Sequence, residues 1–182
     1  MNTKVLKISR KVVLIDKFKE LGFKVGVEIG TDRGDYARDI CSRYPEVKLF
    51  TIDPYLPYNE GKEVKTEKDM QAFYEEAKAK LAPYDCEIIY KTSMEAVNQF
   101  EPESIDFVFI DGNHQYEYVY EDITEWTKRV RKGGIVCGHD YIEDPSRKYG
   151  VIKAVNQYIE ENNVDLYVLR KGTFVDCWMF YK

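Results

Sequence analysis

Apolar residues recur along this chain with two periods that alternate from end to end. Seven short runs are apolar at successive or alternate positions and read as strands: Val25–Ile29, Val47–Ile52, Cys86–Tyr90, Ile105–Ile110, Ile135–Cys137, Val164–Leu169 and Phe174–Tyr181. Between most of them the spacing changes to that of one helix face. Ala37, Ile40, Cys41 and Tyr44 form one such stripe, and Met70, Phe73, Ala77 and Leu81 form a second. The second is opened by Thr66-Glu67-Lys68-Asp69, a capping box with Asp in place of the usual Glu. Val119, Ile123, Trp126 and Val130 make a third stripe, and Val151, Val155, Tyr158 and Ile159 a fourth. Val12, Ile15, Phe18 and Leu21 predict one more helix, over about residues 10–22, ahead of the first strand.

Phe107-Val108-Phe109-Ile110 is apolar at every position, as expected where helices cover both faces of a parallel sheet. Lys171-Gly172 is a turn signal between two strand runs with no helix between them, so the chain is expected to finish as a hairpin with its last strand antiparallel. Five βα units and a hairpin predict an α/β fold with a doubly wound sheet. Residues 1–182 are enough for one sizeable core, and no repeat, low-complexity tract or linker divides them. One polar stretch, residues 54–65, is expected to be a strand-free loop and is the candidate lid.

Charge narrows the partners. Lys and Arg number 27 against 32 Asp and Glu, a net charge of −5, which disfavours nucleic acid and anionic membrane surfaces as partners. No apolar run approaches the roughly 20 residues of a spanning helix. The start MNTKVLKISRKVV lacks the apolar core and cleavage site of an export signal, so a cytoplasmic location is expected. Cys41, Cys86, Cys137 and Cys177 contain no CxxC pair and read as reduced thiols packed as small hydrophobes.

Candidate chemistry gathers where the strands end, the place where open α/β sheets bind ligands. The first strand ends in Glu28-Ile29-Gly30 and turns through Thr31-Asp32-Arg33 to Gly34. The second ends in Asp53, the third runs into Lys91-Thr92-Ser93, the fourth ends in Asp111-Gly112-Asn113-His114, and the fifth in His139-Asp140-Tyr141. Gly30 and Gly34 let the backbone turn tightly against a ligand. Asp53, nineteen residues after Gly34, can accept hydrogen bonds from both hydroxyls of a ribose. A Rossmann-type, nucleotide-dependent oxidoreductase uses the same logic, but its G-x-G-x-x-G fingerprint has a glycine where this chain has Asp32. An aspartate there repels a diphosphate, and Glu28 adds a second negative charge better suited to a cationic ligand.

VEIGTDRGDYA resembles motif I of class I S-adenosylmethionine-dependent methyltransferases in the variant E-x-G-x-x-x-G. FIDGNHQYEYVYEDI, GGIVCGHDY and GVIKAVNQYI are similar to later motifs of a small bacterial branch of that superfamily, with FIDGxH and GHDY strand ends, and the likeness covers about residues 22 to 160. The resemblance implies a Rossmann-like methyltransferase fold of seven strands in the order 3-2-1-4-5-7-6, strand 7 antiparallel. It implies that S-adenosylmethionine is the cofactor. Glu28, Gly30, Thr31 and Gly34 would surround its methionine part, Asp53 its ribose, Ser93 and Met94 its adenine, and Asp111 the methyl end, with Asp32 a further cofactor-binding residue.

Methyl transfer is an in-line displacement in which the protein aligns the acceptor and, for a hydroxyl, removes a proton. Asp111, His114, His139 and Asp140 are the candidate catalytic residues. Related O-methyltransferases hold magnesium at the positions of Asp111, His139 and Asp140. Here a histidine replaces one oxygen ligand, so a divalent metal is a candidate but not the favoured reading. Asp53-Pro54-Tyr55 lacks the second proline of the D-P-P-Y motif of adenine methyltransferases. The expected activity is O-methylation of a small molecule or sugar, with a non-catalytic cofactor-binding protein as a further alternative. So small a chain leaves its acceptor site open unless the loop 54–65 closes or a second subunit of a homodimer covers it.

Overall fold

The structure is a computed structural model that describes residues 3–6, 10–60, 63–143, 149–171 and 174–182. Its elements in chain order are β1 (Thr3–Leu6), α1 (Arg10–Glu20), β2 (Val25–Ile29), α2 (Asp35–Arg43), β3 (Lys48–Ile52), β4 (Tyr58–Glu60), β5 (Glu63–Lys65) and α3 (Glu67–Leu81). They continue with β6 (Cys86–Ile89), α4 (Ser93–Ala96), β7 (Ile105–Ile110), α5 (Tyr116–Arg129), β8 (Val130–Gly138), α6 (Val151–Asn162), β9 (Leu166–Lys171) and β10 (Phe174–Tyr181).

The main sheet runs β1-β9-β10-β8-β7-β2-β3-β6. The seven expected strands stand in the expected order, with β10 antiparallel to both β8 and β9. The Lys171-Gly172 turn falls partly on residues outside those described, but the pairing of Phe174 with Lys171 is that of a hairpin. An eighth strand, β1, extends the edge by pairing parallel to β9. The stretch 54–65 is not strand-free: β4 and β5 pair as a small antiparallel hairpin within it.

Alternate residues of the central strands feed two cores. Phe107 and Phe109 point to one face, where they meet Leu14, Phe18, Tyr36 and Ile40 of α1 and α2. Val108 and Ile110 point to the other, against Ile123 and Trp126 of α5 and Val155 and Ile159 of α6. Both faces of a parallel sheet are thereby dry, which is why β7 is apolar at successive positions.

The stripes of α2, α3, α5 and α6 are buried as their spacing requires. The first helix is shorter than 10–22. It ends at Glu20, and Leu21, expected on the apolar face, is 39% exposed on a turn completed by Gly22 at φ 67°. The capping box at Thr66 is present: Asp69 N donates to Thr66 Oγ1 at 3.3 Å, and Asp69 accepts from Thr66 N at 2.9 Å. All four cysteines are free thiols. No described helix is long and apolar enough to cross a membrane.

Candidate functional site

Strand register brings the candidate residues to one line. Ile29 pairs with Ile52 and Ile110, Ile52 with Ile89, and Ile110 with Gly138. The residue after each strand end therefore stands in the same row: Gly30, Asp53, Asp111 and His139. Backbone bonds hold that row in place, from Gly30 N to Ile52 O, Asp53 N to Ile89 O, Asp111 N to Ile29 O and His139 N to Ile110 O, at 2.8 to 3.2 Å.

Above the row lies a cleft of about 1100 Å³. Glu28, Gly30, Thr31, Asp32, Asp53, Ser93, Met94, Asp111, His114 and Asp140 all line it. Gly34 stands behind the turn as the N-cap of α2, at φ 73°. His139 lies off the main cleft, with Ile110, Asp111 and Trp178 around it. Arg33, Asp122, Tyr118 and Tyr149 also line the cleft or its neighbourhood, and sequence patterning did not single them out.

The turn after β2 is shaped by contact. Gly30 has φ 94°, and a Cβ there would lie 2.1 Å from the carbonyl oxygen of Asp111. Only glycine meets both conditions. Beneath the turn, Thr31 Oγ1 donates to Thr51 Oγ1 at 2.6 Å, and Thr51 Oγ1 donates to the carboxylate of Glu28, which is 2% exposed. A strand residue that sequence patterning passed over, Thr51, thus fixes both Thr31 and Glu28.

Asp53 holds the loops on either side. Its Oδ2 accepts from Asp32 N at 3.0 Å and its Oδ1 from Tyr55 N at 2.8 Å. Both donors sit at positive φ, 47° and 45°, conformations that cost non-glycine residues about 1 kcal/mol or more and need such anchoring. Burial raises the Asp53 carboxyl above its ordinary value, and the backbone donors pull part of the way back. A carboxylate offers about four acceptor positions, so two backbone donors leave capacity for a pair of vicinal hydroxyls.

The far end of the row is a charge cluster. His114 Nε2 lies 2.9 Å from Asp140 Oδ2 and 3.7 Å from Asp111 Oδ1. His139 Nδ1 lies 3.1 Å from the same Asp140 oxygen and 3.7 Å from Asp111 Oδ1. Burial disfavours a charge on His114, but the carboxylates of Asp111 and Asp140 beside it outweigh that and push it up to about 10. Asp140 is buried too, yet the two histidines hold it well below the usual carboxylate range. His114 is thus an imidazolium at neutral pH, which suits it to orienting and charge compensation and not to taking a proton. Tyr149 lies over it, ring centroids 4.4 Å apart, and Gly150 N donates to His114 O at 2.7 Å.

A pH prediction follows from the sign of that shift. A histidine raised from 6.5 to about 10 stabilises the fold fully below about pH 6.5 and loses that contribution as pH rises to about 10. Thermal unfolding of wild type minus that of His114→Gln is expected to shrink across this window. A difference independent of pH would remove the charge assignment.

Asp111, His139 and Asp140 each present a ligand atom within 4.8 Å of the others. Two carboxylate oxygens and an imidazole suit manganese or zinc better than magnesium. His114 already supplies positive charge on the shared Asp140 oxygen.

A family profile described as a methyltransferase domain matches residues 27–141, which include every strand end of this row. Over 77 residues the chain is 35% identical to an uncharacterized protein of Acanthamoeba polyphaga mimivirus, covering 42% of this chain and 34% of that protein. The match thus spans about a third of that relative's length. Among solved structures, TomG from Streptomyces achromogenes, an O-methyltransferase involved in tomaymycin synthesis and in complex with SAM, superposes with a TM-score of 0.68. Identity is 17% over 96% of this chain and 80% of that one. An O-methyltransferase from Bacillus cereus in complex with SAH superposes with a TM-score of 0.67 at 16% identity, over 97% and 83% of the two chains. At such identities the likeness is one of fold.

Proposed function

This chain belongs to the methyltransferase-domain family, and we propose that it transfers a methyl group from S-adenosylmethionine to a hydroxyl of a small molecule. One observation carries the reading: the Gly30 cradle lies between two carboxylates, Glu28 on its own strand and Asp53 on the next, at the floor of the cleft. A ligand with an ammonium and a sulfonium at one end and ribose hydroxyls further along matches that order of charges. A dinucleotide would instead set its diphosphate against Glu28, Asp32 and Asp53. The two solved structures described with SAM and SAH support the same cofactor.

The bound sulfonium supplies an activated methyl group. The protein's part is placement and proton removal. Glu28 and Thr31 face the amino-acid end, Asp53 accepts from the ribose, and Asp111, beside Gly30 across the β2–β7 register, marks where an acceptor oxygen must approach. With His114 held as a cation, Asp111 is the carboxylate at the cleft placed to take the hydroxyl proton, and His114 orients Asp111 and Asp140. Asp111, His139 and Asp140 would hold a divalent cation if one binds, where it would lower the acceptor's pKa. The favoured reading needs no metal. A chelator is therefore expected to leave turnover within about twofold; loss restored by manganese would assign the cluster to a metal.

The test of the activity is transfer of labelled methyl from S-adenosylmethionine to a panel of small sugars and phenols. Labelled ether products are expected, and their loss in Asp111→Asn is expected as well. Tight cofactor binding with no transfer to any acceptor would favour a binding protein instead.

A further inference from the structure

Cys41 and Cys86 are far apart in the chain and share no sequence motif, yet the fold brings them together. Cys41 lies on the buried stripe of α2 with Ala37 and Ile40 and is 2% exposed. Cys86 opens β6 and pairs in register with Leu49 of β3. Paired residues of a parallel ladder point to the same face of the sheet. Leu49 points into the core that α1 and α2 cover, so Cys86 points toward α2, and both cysteines belong to that one cluster.

The two thiols differ in access. β6 is the last strand on its side of the sheet, which leaves Cys86 partly exposed while Cys41 is covered. Their proximity shows in their acidity. The Cys86 thiol beside it makes Cys41 easier to ionise, with burial opposing. Cys41 and burial in turn push Cys86 up. One thiolate held against a second thiol is the arrangement from which disulfide exchange proceeds. Among the described residues no third ligating group joins the two to make a metal set. Cys137 and Cys177 provide the contrast: both are 0% exposed, and burial pushes the Cys137 thiol well above its ordinary value. Thiols so placed are inert.

We propose that Cys41 and Cys86 form a redox site that closes to a disulfide by exchange with a small disulfide such as oxidised glutathione, and that the bond pins the segment between them. Cys86, the accessible thiol, attacks one sulfur of oxidised glutathione as its thiolate. A mixed disulfide forms, and the first glutathione leaves with the Cys86 proton. Cys41 then attacks the Cys86 sulfur, and the second glutathione leaves with the Cys41 proton. The protein loses two electrons and two protons, and oxidised glutathione gains both. The new bond ties α2 to the edge strand across residues 42–85, the stretch that carries Asp53, the β4–β5 hairpin and α3. It lies at the first residue of β6, the opposite end of the strands from the cleft, so it acts on the stability of that stretch and leaves the cleft's side chains in place. None of this depends on which cofactor the cleft holds.

Incubation of the folded wild-type protein with excess oxidised glutathione, followed by thiol counting and peptide mass mapping, tests this directly. Loss of two of the four thiols is expected, with a Cys41–Cys86 cross-link and no glutathione retained. Cys41→Ser is expected to stop at a stable mixed disulfide on Cys86, and Cys86→Ser to keep all of its remaining thiols. The oxidised wild type is expected to melt about 5 °C or more above the reduced form, because a bond that closes a long loop restrains the unfolded chain. Retention of all four thiols, a glutathione that stays on Cys86 in the wild type, or a cross-link through Cys137 or Cys177 overturns the proposal. A Cys41–Cys86 bond that leaves the melting temperature unchanged overturns the pinning. Should either serine variant not fold, mapping of the wild type decides alone.

Discussion

Asp53→Ala is expected to weaken S-adenosylhomocysteine binding at least a hundredfold. Two hydrogen bonds from ribose hydroxyls to one carboxylate are worth about 1.5–3 kcal/mol each, and about 2.7 kcal/mol is already a factor of one hundred. The substitution also releases Asp32 N and Tyr55 N, the two backbone donors that Asp53 holds at 3.0 and 2.8 Å. Both belong to residues at positive φ, so their segments relax once the anchor is gone. Asp53→Asn separates the two contributions in part, since its amide oxygen still accepts from one backbone donor while its NH2 faces the other. It is expected to fold better than the alanine variant and to bind little more tightly. Calorimetry paired with a thermal melt checks both points. Retention of near wild-type affinity in Asp53→Ala would show that the ribose rests elsewhere.

Gly30→Ala is expected to lose binding and stability together. The new methyl carbon would lie 2.1 Å from Asp111 O, 2.6 Å from Asp111 C and 3.0 Å from the Cα of Gly112, all of it backbone. Those atoms cannot swing aside, because Asp111 N is bonded to Ile29 O at 2.8 Å in the strand ladder. Adding the strain of a φ of 94° to the overpacking gives a loss of about 3 kcal/mol or more. Gly112→Ala is the control. Its Cβ meets nothing closer than Ile29 Cγ2 at 3.4 Å, an ordinary contact, and its stability is expected to change by about 1 kcal/mol at most. Denaturant titration of the two variants measures the contrast; equal losses would mean that the close approach of the two strand ends is not what demands glycine.

Strand order was legible because it follows from a few strong local signals. Successive apolar positions in Ile105–Ile110 mark a strand covered on both faces, and the Lys171-Gly172 turn marks the reversed one. Weaker elements escaped for physical reasons. β1 and the β4–β5 pair are three or four residues long with charged or polar members, and take their conformation from pairing partners rather than from any pattern of their own. β8 runs back to Val130, but Gly133 at φ 76° and Gly134 interrupt the apolar run that would have shown it. The site was legible at strand ends, where register makes sequence position and spatial position the same thing. It was not legible where a helix or strand side chain reaches in from behind, as with Thr51 and Asp122. Asp122 did leave a trace, an acidic residue on the apolar stripe of α5. The charge state of His114 left none, since it depends on Asp111 and Asp140 being brought to the same side chain from two different strands.

The acidic balance of the chain has a local counterpart in this cleft. Glu28, Asp32, Asp53, Asp111, Asp122 and Asp140 all line it. Their field favours a ligand with cationic groups and opposes a diphosphate, whichever acceptor is used. The most direct measurement is therefore a calorimetric titration of the wild-type protein with S-adenosylhomocysteine and, in parallel, with NAD. Binding of S-adenosylhomocysteine at micromolar affinity or tighter, with no heat from NAD, is the expected result. No binding of S-adenosylhomocysteine, or tighter binding of NAD, would contradict the assignment of the cleft to a sulfonium cofactor.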